Sequence, residues 1–382
     1  MTTLSATAVA WQSLLVVVEA HRGSGAPSPA TIIAGIPLLR RLVLSATRAG
    51  FDRVLVHPRL CPDRRLIEGT GAAVLGPETP VPPSARLVLL PVNVLPQARW
   101  LRVLRDMPLE PETLAVDGSL AAAAESVAVR DLLRSAGESG DAEELIATLS
   151  RRLTRVAEAH DPTGCFPLGG AAGADAAEAW LLRSLIKNSE GFMSRHVERR
   201  ISLAITRRLA TTRITPNAMT LVSLAVGFAG AAFFLSTDRL FQVIGALLFL
   251  SHSILDGCDG ELARLKFLES RAGARLDFWG DNLVHVAVWV CMAIGWSLSE
   301  HAAWPLGIGA LAVAGNAASA WLVNRQGGDN GLAEPVANRD FIYLVVGLAF
   351  FGVAQWFLVL VAVGTPIFML LVRLGAGRGR TG

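Results

Sequence analysis

Lysine is scarce in this chain: none occurs before Lys187, so the positive charge ahead of it rests on arginine and histidine. Any phosphate bound there would meet a guanidinium or backbone amides, not an ammonium group. Cysteine is sparse as well. Cys61, Cys165, Cys258 and Cys291 are scattered without C-x-x-C spacing, which excludes a zinc ribbon and a disulfide framework. Net charge is low, +3 over 382 residues, and no basic stripe interleaved with aromatics occurs. Nucleic acid is therefore not an expected partner. No basic segment precedes the apolar run Leu14–Val18, so no signal peptide is expected. No internal repeat is present, which argues against a solenoid.

What the chain has in excess is apolar surface. Hydrophobic residues make up 52% of it and the mean hydropathy is +0.45, too high for an ordinary soluble protein. The excess is uneven. Residues 1–160 read as soluble, with short runs such as Leu14–Val18, Arg53–His57 and Ala85–Val92 alternating with helix-like stretches such as Pro37–Ala49. Strands alternating with helices predict an α/β domain with a largely parallel, Rossmann-like sheet. A glycine- and alanine-rich stretch with Gly169, Gly170 and Gly173 lies in a linker over 161–188.

Residues 189–213 carry Arg195, Arg199, Arg200, Arg207, Arg208 and Arg213 among Val197, Ile201, Leu203, Ile205 and Leu209. That pattern predicts an amphipathic juxtamembrane helix; a solvated linker helix is the plainer alternative. From 214 to 375 the sequence reads as a helical integral membrane domain. Six spans are expected, at about 217–236, 240–262, 278–299, 303–323, 340–353 and 355–373. Arg264, Lys266, Arg271, Arg275, Arg325, Arg339, Arg373, Arg378 and Arg380 all fall on one side of that topology, and Arg239 alone on the other. The positive-inside rule then puts both termini and the α/β domain in the cytoplasm.

Four aspartates of this region cluster at the cytoplasmic ends of the second and third expected spans. Asp256 and Asp259 are three apart and Asp277 and Asp281 four apart, so each pair shares a helix face. Carboxylates within a membrane helix are costly unless functional or paired. A tight loop of about a dozen residues can bring the two faces together at one depth, where four carboxylates cannot all stay ionised without cations. An all-oxygen set selects hard ions, Mg²⁺ or Mn²⁺, and two of them would clamp a diphosphate. Gly257, Gly260 and Gly273 remove side-chain bulk beside these carboxylates, Arg264 offers a planar fork of donors, and Ser270 a hydroxyl. A structural carboxylate cluster or a transporter's ion path are the competing readings. Arg325, Arg339 and Asp340 either meet an acceptor's polar head or anchor helix ends. His252 and His285 read first as packing residues, and the nine Trp as span and interface residues.

The segment from Asp256 to Asp281 resembles the signature of the CDP-alcohol phosphotransferases, D-x2-D-G-x2-A-R-x8-G-x3-D-x3-D. Asp256, Asp259, Gly260, Ala263, Arg264, Gly273, Asp277 and Asp281 match it in residue and spacing. The resemblance covers about residues 190–375. It implies that Asp256, Asp259, Asp277 and Asp281 bind two Mg²⁺ or Mn²⁺ ions, with Asp281 also the catalytic base. It implies that Asn217, Thr220, Gly257, Gly260, Ala263, Arg264, Ser270 and Gly273 line the site of a CDP-alcohol donor, such as CDP-diacylglycerol. The implied reaction moves a phosphatidyl or other phosphoalcohol group to a polyol or polyol phosphate, inositol-type among them, and releases CMP. Membrane lipids as surroundings and a homodimer are further family expectations.

The stretch Ile33–Val56 is similar to part of a sugar-phosphate nucleotidyltransferase, a domain found fused to this transferase family in inositol-phosphate cytidylyltransferase fusions. Leu185-Ile186-Lys187 and Gly191–His196 are similar to the junction of such fusions. The catalytic parts are missing. Glu19–Pro27 keeps Gly23 and Gly25 but lacks the G-x-G-x-R loop, and no lysine is available to follow it. The domain is expected to be a degenerate relative with a binding or structural role. The alternatives are a bifunctional cytidylyltransferase–phosphotransferase, and a non-enzymatic membrane anchor whose soluble domain binds a nucleotide or partner.

Overall fold

In the computed structural model the described residues are 12–21, 25–77, 79, 85–126, 129–139, 141–157, 164–169, 173–186, 193–325 and 340–378. The chain divides into two compact units, Met1–Leu181 and Leu182–Gly382.

The first unit is an α/β domain. Its strands are β1 (Gln12–Val18), β2 (Ile32–Ile33), β3 (Ile36–Pro37), β4 (Arg53–Val56), β5 (Ala73–Val74), β6 (Ala85–Pro91), β7 (Val94–Pro96), β8 (Thr113–Val116), β9 (Ala122–Ser126), β10 (Thr154–Ala157) and β11 (Cys165–Pro167). Its helices are α1 (Leu38–Ala49), α2 (Ala98–Asp106), α3 (Val129–Ser139), α4 (Ala142–Leu149) and α5 (Ala174–Arg183). Seven strands form one sheet in the order β10-β8-β9-β6-β1-β4-β5, and β9 alone runs antiparallel to its neighbours. Leu14 to Val18 are fully buried, which is why β1 is a continuous apolar run: a central parallel strand faces protein on both sides. Leu14, Val16 and Val18 pack with Leu133, Leu145 and Leu149 of α3 and α4.

Arg41 of α1 is among the largest fully buried side chains. Its guanidinium donates to the carbonyls of Ile33 and Ala34 at 3.0 and 3.2 Å, tying down the β2–β3 hairpin. Burial pushes its pKa down to about 10, against the opposing charge of Glu178. Arg41, one of four arginines in the segment that resembles a nucleotidyltransferase, thus serves the fold of this hairpin. At the carboxyl end of β1, Glu19 lies 3.6 Å from Arg59 and 3.9 Å from His57. The Glu19 carbonyl accepts from Ala142 N at the start of α4. Gly25 follows with φ +63, while Gly23 and its neighbours lie outside the described residues.

The second unit is helical. After a wide π-helical turn, Ser194–Glu198, come α6 (Arg199–Ala210), α7 (Pro216–Phe233), α8 (Arg239–Lys266), α9 (Arg271–Glu300), α10 (Trp304–Arg325), α11 (Phe341–Phe350) and α12 (Trp356–Arg378). Among the described residues, α7, α8 and α9 are long and apolar enough to cross a membrane. Six crossings are not shown: α11 has ten residues, about 15 Å at 1.5 Å per residue, half a hydrocarbon core. The core gathers Phe249, Val288, Trp289, Met292, Val345 and Phe357 from α8, α9, α11 and α12. Trp296, Trp304 and Trp356 cluster at one end of the bundle, with ring centroids 4.7 and 5.4 Å apart.

Helices α8 and α9 outrun the spans expected from hydropathy. The charged residues from Glu261 onward end the apolar signal but not the helix, which continues until Phe267 turns left-handed at φ 58. Helix α9 starts again at Arg271, where the Ser270 hydroxyl accepts from Gly273 N at 3.0 Å. The connection is therefore a tight turn over residues 267–270, not a loop of a dozen residues. Asp256 lies about 25 Å along α8 from Arg239, near one edge of an apolar layer of about 30 Å.

Candidate active site

The antiparallel α8–α9 hairpin brings the two aspartate faces together. One oxygen each from Asp256, Asp259 and Asp277 lie within 4.8 Å of one another. Asp256 and Asp259 are 4% and 5% exposed, and no hydrogen-bond donor reaches the buried Asp277 Oδ1. Three carboxylate oxygens at that separation, so poorly hydrated, form a donor set that fits a hard divalent cation. The Asp259 carboxylate also accepts from the buried Thr220 hydroxyl of α7.

Asp281 is not in that group of three. Its Oδ1 lies 3.4 Å from His252 Nε2. His252 is buried, and its Nδ1 lies 2.9 Å from the Ser223 carbonyl. It therefore touches the site instead of serving only as packing. Its place four residues before Asp256, on the same face of α8, is the signal that could have found it. His285 packs in the aromatic core, 5.5 Å from Phe249 and 6.2 Å from Trp289 between ring centroids.

Beside the carboxylates is a cavity of about 250 Å³ at the turn end of the hairpin. Of the residues singled out from the sequence, Asn217, Thr220, Asp259, Gly260, Ala263, Arg264, Ser270, Gly273 and Asp277 line it. Pro216, next to Asn217, lines it too, as do Leu268, Glu269 and Ala274, which nothing in their spacing or chemistry announces. Gly260 gives Arg264 room to fold back, since a Cβ there would meet Arg264 Nη1 at 3.1 Å. A Cβ on Gly273 would meet Asn217 Oδ1 at 2.9 Å, so that glycine lets α7 approach α9. Gly257 is not among the lining residues, and Arg199 Nη1 lies 2.8 Å from where its Cβ would be. The room it leaves is used by α6.

Asp340 precedes α11 without a side-chain capping bond, and its Oδ1 accepts from Ser194 N at 3.3 Å. Arg339, Gly170, Lys187 and Gly191 lie outside the described residues.

Residues 213–368 match the family described as CDP-alcohol phosphatidyltransferase. The chain is 37% identical over 109 residues to the bifunctional IPC transferase and DIPP synthase of Thermococcus kodakarensis, covering 28% of this chain and 24% of that one. It is 39% identical over 106 residues to the protein of the same name from Archaeoglobus fulgidus, covering 27% of this chain and 20% of that one. The matched stretch thus spans no more than about a quarter of either relative's length. A crystal structure of Mycobacterium tuberculosis phosphatidylinositol phosphate synthase with CDP-DAG bound aligns with 45% of this chain and 92% of its own, at 21% identity and a TM-score of 0.37. With the signature, its helical hairpin and the matched range in agreement, residues 213–368 form a domain of the CDP-alcohol phosphatidyltransferase family.

Proposed function

We propose that this protein transfers a substituted phosphate group from a CDP-alcohol to the hydroxyl of a polyol-type acceptor, releasing CMP. The observation that carries the reading is the convergence of Asp256, Asp259 and Asp277 beside a cavity lined by the signature residues. In this reading Asp256, Asp259, Asp277 and Asp281 hold two Mg²⁺ or Mn²⁺ ions. Those ions supply positive charge to the diphosphate and to the entering and leaving oxygens.

The rest of the work falls to the chain's own residues. Asn217, Thr220, Gly260, Ala263, Arg264, Ser270 and Gly273 bind the CDP part of the donor, with the Arg264 guanidinium on phosphate. Thr220 holds Asp259 in orientation. Asp281 takes the acceptor's hydroxyl proton, the acceptor oxygen bonds to the phosphorus distal to cytidine, and CMP leaves with the electron pair of the broken P–O bond. The donor is CDP-diacylglycerol or a similar CDP-alcohol, and the acceptor an inositol-type polyol or its phosphate. We place α7 to α12 across the membrane as six spans, with site and α/β domain on the cytoplasmic side, in a homodimer.

The test is to give membranes containing the protein labelled CDP-diacylglycerol, Mg²⁺ and a panel of polyols and polyol phosphates. CMP release with one acceptor class is expected. No turnover with any CDP-alcohol, together with unchanged metal binding in Asp277→Ala, would defeat the reading.

A further inference from the structure

Helix α6 turns a polar face inward. Ser202 and Thr206 are 1% and 0% exposed, while Ile201 of α6 and Val197 of the turn before it are 44% and 39% exposed. What Ser202 and Thr206 meet is Glu261 of α8, itself 0% exposed. Glu261 Oε1 accepts from Arg199 Nη1 and Ser202 Oγ, both at 2.7 Å, and Oε2 accepts from Thr206 Oγ1 at 2.7 Å. All three donors come from α6. Gly257 leaves the gap through which Arg199 reaches this carboxylate.

A second tie lies further along α8. Lys266 Nζ donates to the carbonyls of Thr212 at 2.7 Å, Leu209 at 3.3 Å and Ile214 at 3.4 Å. An ammonium group at the C-terminal carbonyls of a helix is favoured by the helix dipole. Ile214 is followed by Thr215, the N-cap of α7, and then by the cavity-lining Asn217 and Thr220.

Apolar packing could hold two helices together at lower desolvation cost than a buried ion pair. What a buried carboxylate with three fixed donors adds is register, because α6 cannot slide or rotate along α8 without stranding a charge. Helix α8 therefore carries metal-site carboxylates on one face and an anchored strut on the other. We propose that α6 is a strut of the donor site, with Glu261 and Lys266 as positioning residues. Glu261 sets α8 so that Asp256 and Asp259 meet Asp277, and Lys266 sets the chain leading into the Asn217–Thr220 wall. The inference rests on the donor-site reading above, and its metal arm can be read without turnover.

The experiment uses the full chain in detergent, with Mn²⁺ binding followed by electron paramagnetic resonance and CMP release measured in parallel. Glu261→Ala is expected to weaken Mn²⁺ binding about tenfold or more at unchanged helix content, as loss of a ligand-orienting group does. Glu261→Gln keeps the shape, loses the charge opposite Arg199, and is expected to fall between; it carries the same test where the alanine variant does not fold. Lys266→Met is expected to raise KM for the CDP-alcohol about tenfold with a smaller change in kcat, and Lys266→Arg to restore it. Wild-type Mn²⁺ affinity in both Glu261 variants, with wild-type KM in Lys266→Met, overturns the strut. Mn²⁺ binding without CMP release from any donor sinks the transferase reading and still tests the Glu261 arm. Failure of the wild type to bind Mn²⁺ overturns both.

Discussion

Thr220 shows how much one buried hydroxyl is asked to do. It is 2% exposed and donates to Asp259, a carboxylate that is itself 5% exposed. A hydrogen bond to a buried charged group contributes about 1.5–3 kcal/mol, and orientation is lost with it. Thr220→Val, close in shape, is expected to lower CMP release about ten- to a hundredfold at saturating Mg²⁺. Thr220→Ser is expected to keep most of the activity; equal rates for Thr220→Val and wild type would remove the hydroxyl from the account. At this scale the sequence is informative where chemistry repeats with the helix. The i,i+3 and i,i+4 aspartates declare a shared face by their spacing alone. Leu268, Glu269 and Ala274 do not, because their place in the cavity wall depends on how tightly the hairpin turns.

The helical elements show where a hydropathy reading stops. Their existence follows from long apolar segments, but α8 and α9 run on through charged residues because nothing breaks them before Phe267 and Ser270. The partner of α6 is hidden for a related reason. Ile201, with Val197 in the turn before it, suggests an apolar face for a membrane surface and is exposed, whereas the face turned into the bundle carries Ser202 and Thr206 against a glutamate 55 to 59 residues on. Only tertiary contact reveals that. Helices α7 and α8 pack closely where Gly230 meets Gly245. A Cβ on Gly230 would meet Leu248 Cβ at 2.9 Å and the backbone Gly245 O and Phe249 N at 3.1 Å. Backbone cannot step aside as a flexible side chain can. Gly230→Val is therefore expected to cost about 1–3 kcal/mol or more through overpacking. The readout is a lower temperature for loss of monodisperse protein in detergent; an unchanged temperature would mean the two helices separate freely.

At the scale of the whole chain, an α/β unit and a helical unit are joined in one polypeptide. The alternation of strands and helices makes the first unit legible as α/β, while the antiparallel β9 within its sheet has no local sequence mark. Its chemistry is legible chiefly through what is missing, since no lysine precedes Lys187. With transfer disabled by Asp277→Asn, the full chain given CTP, Mg²⁺ and a panel of polyol phosphates is expected to release no pyrophosphate. Pyrophosphate release would instead establish a bifunctional enzyme. The central claim, that three converging carboxylates on α8 and α9 serve phosphoalcohol transfer, meets its most direct test in CMP release from labelled CDP-diacylglycerol by wild type and Asp277→Asn, with Mg²⁺ and then with chelator. Wild type is expected to give CMP and the phosphodiester product in equal amounts, with a loss of about a thousandfold or more in the variant or without metal. Undiminished CMP release by Asp277→Asn, or release that persists in chelator, would contradict that claim.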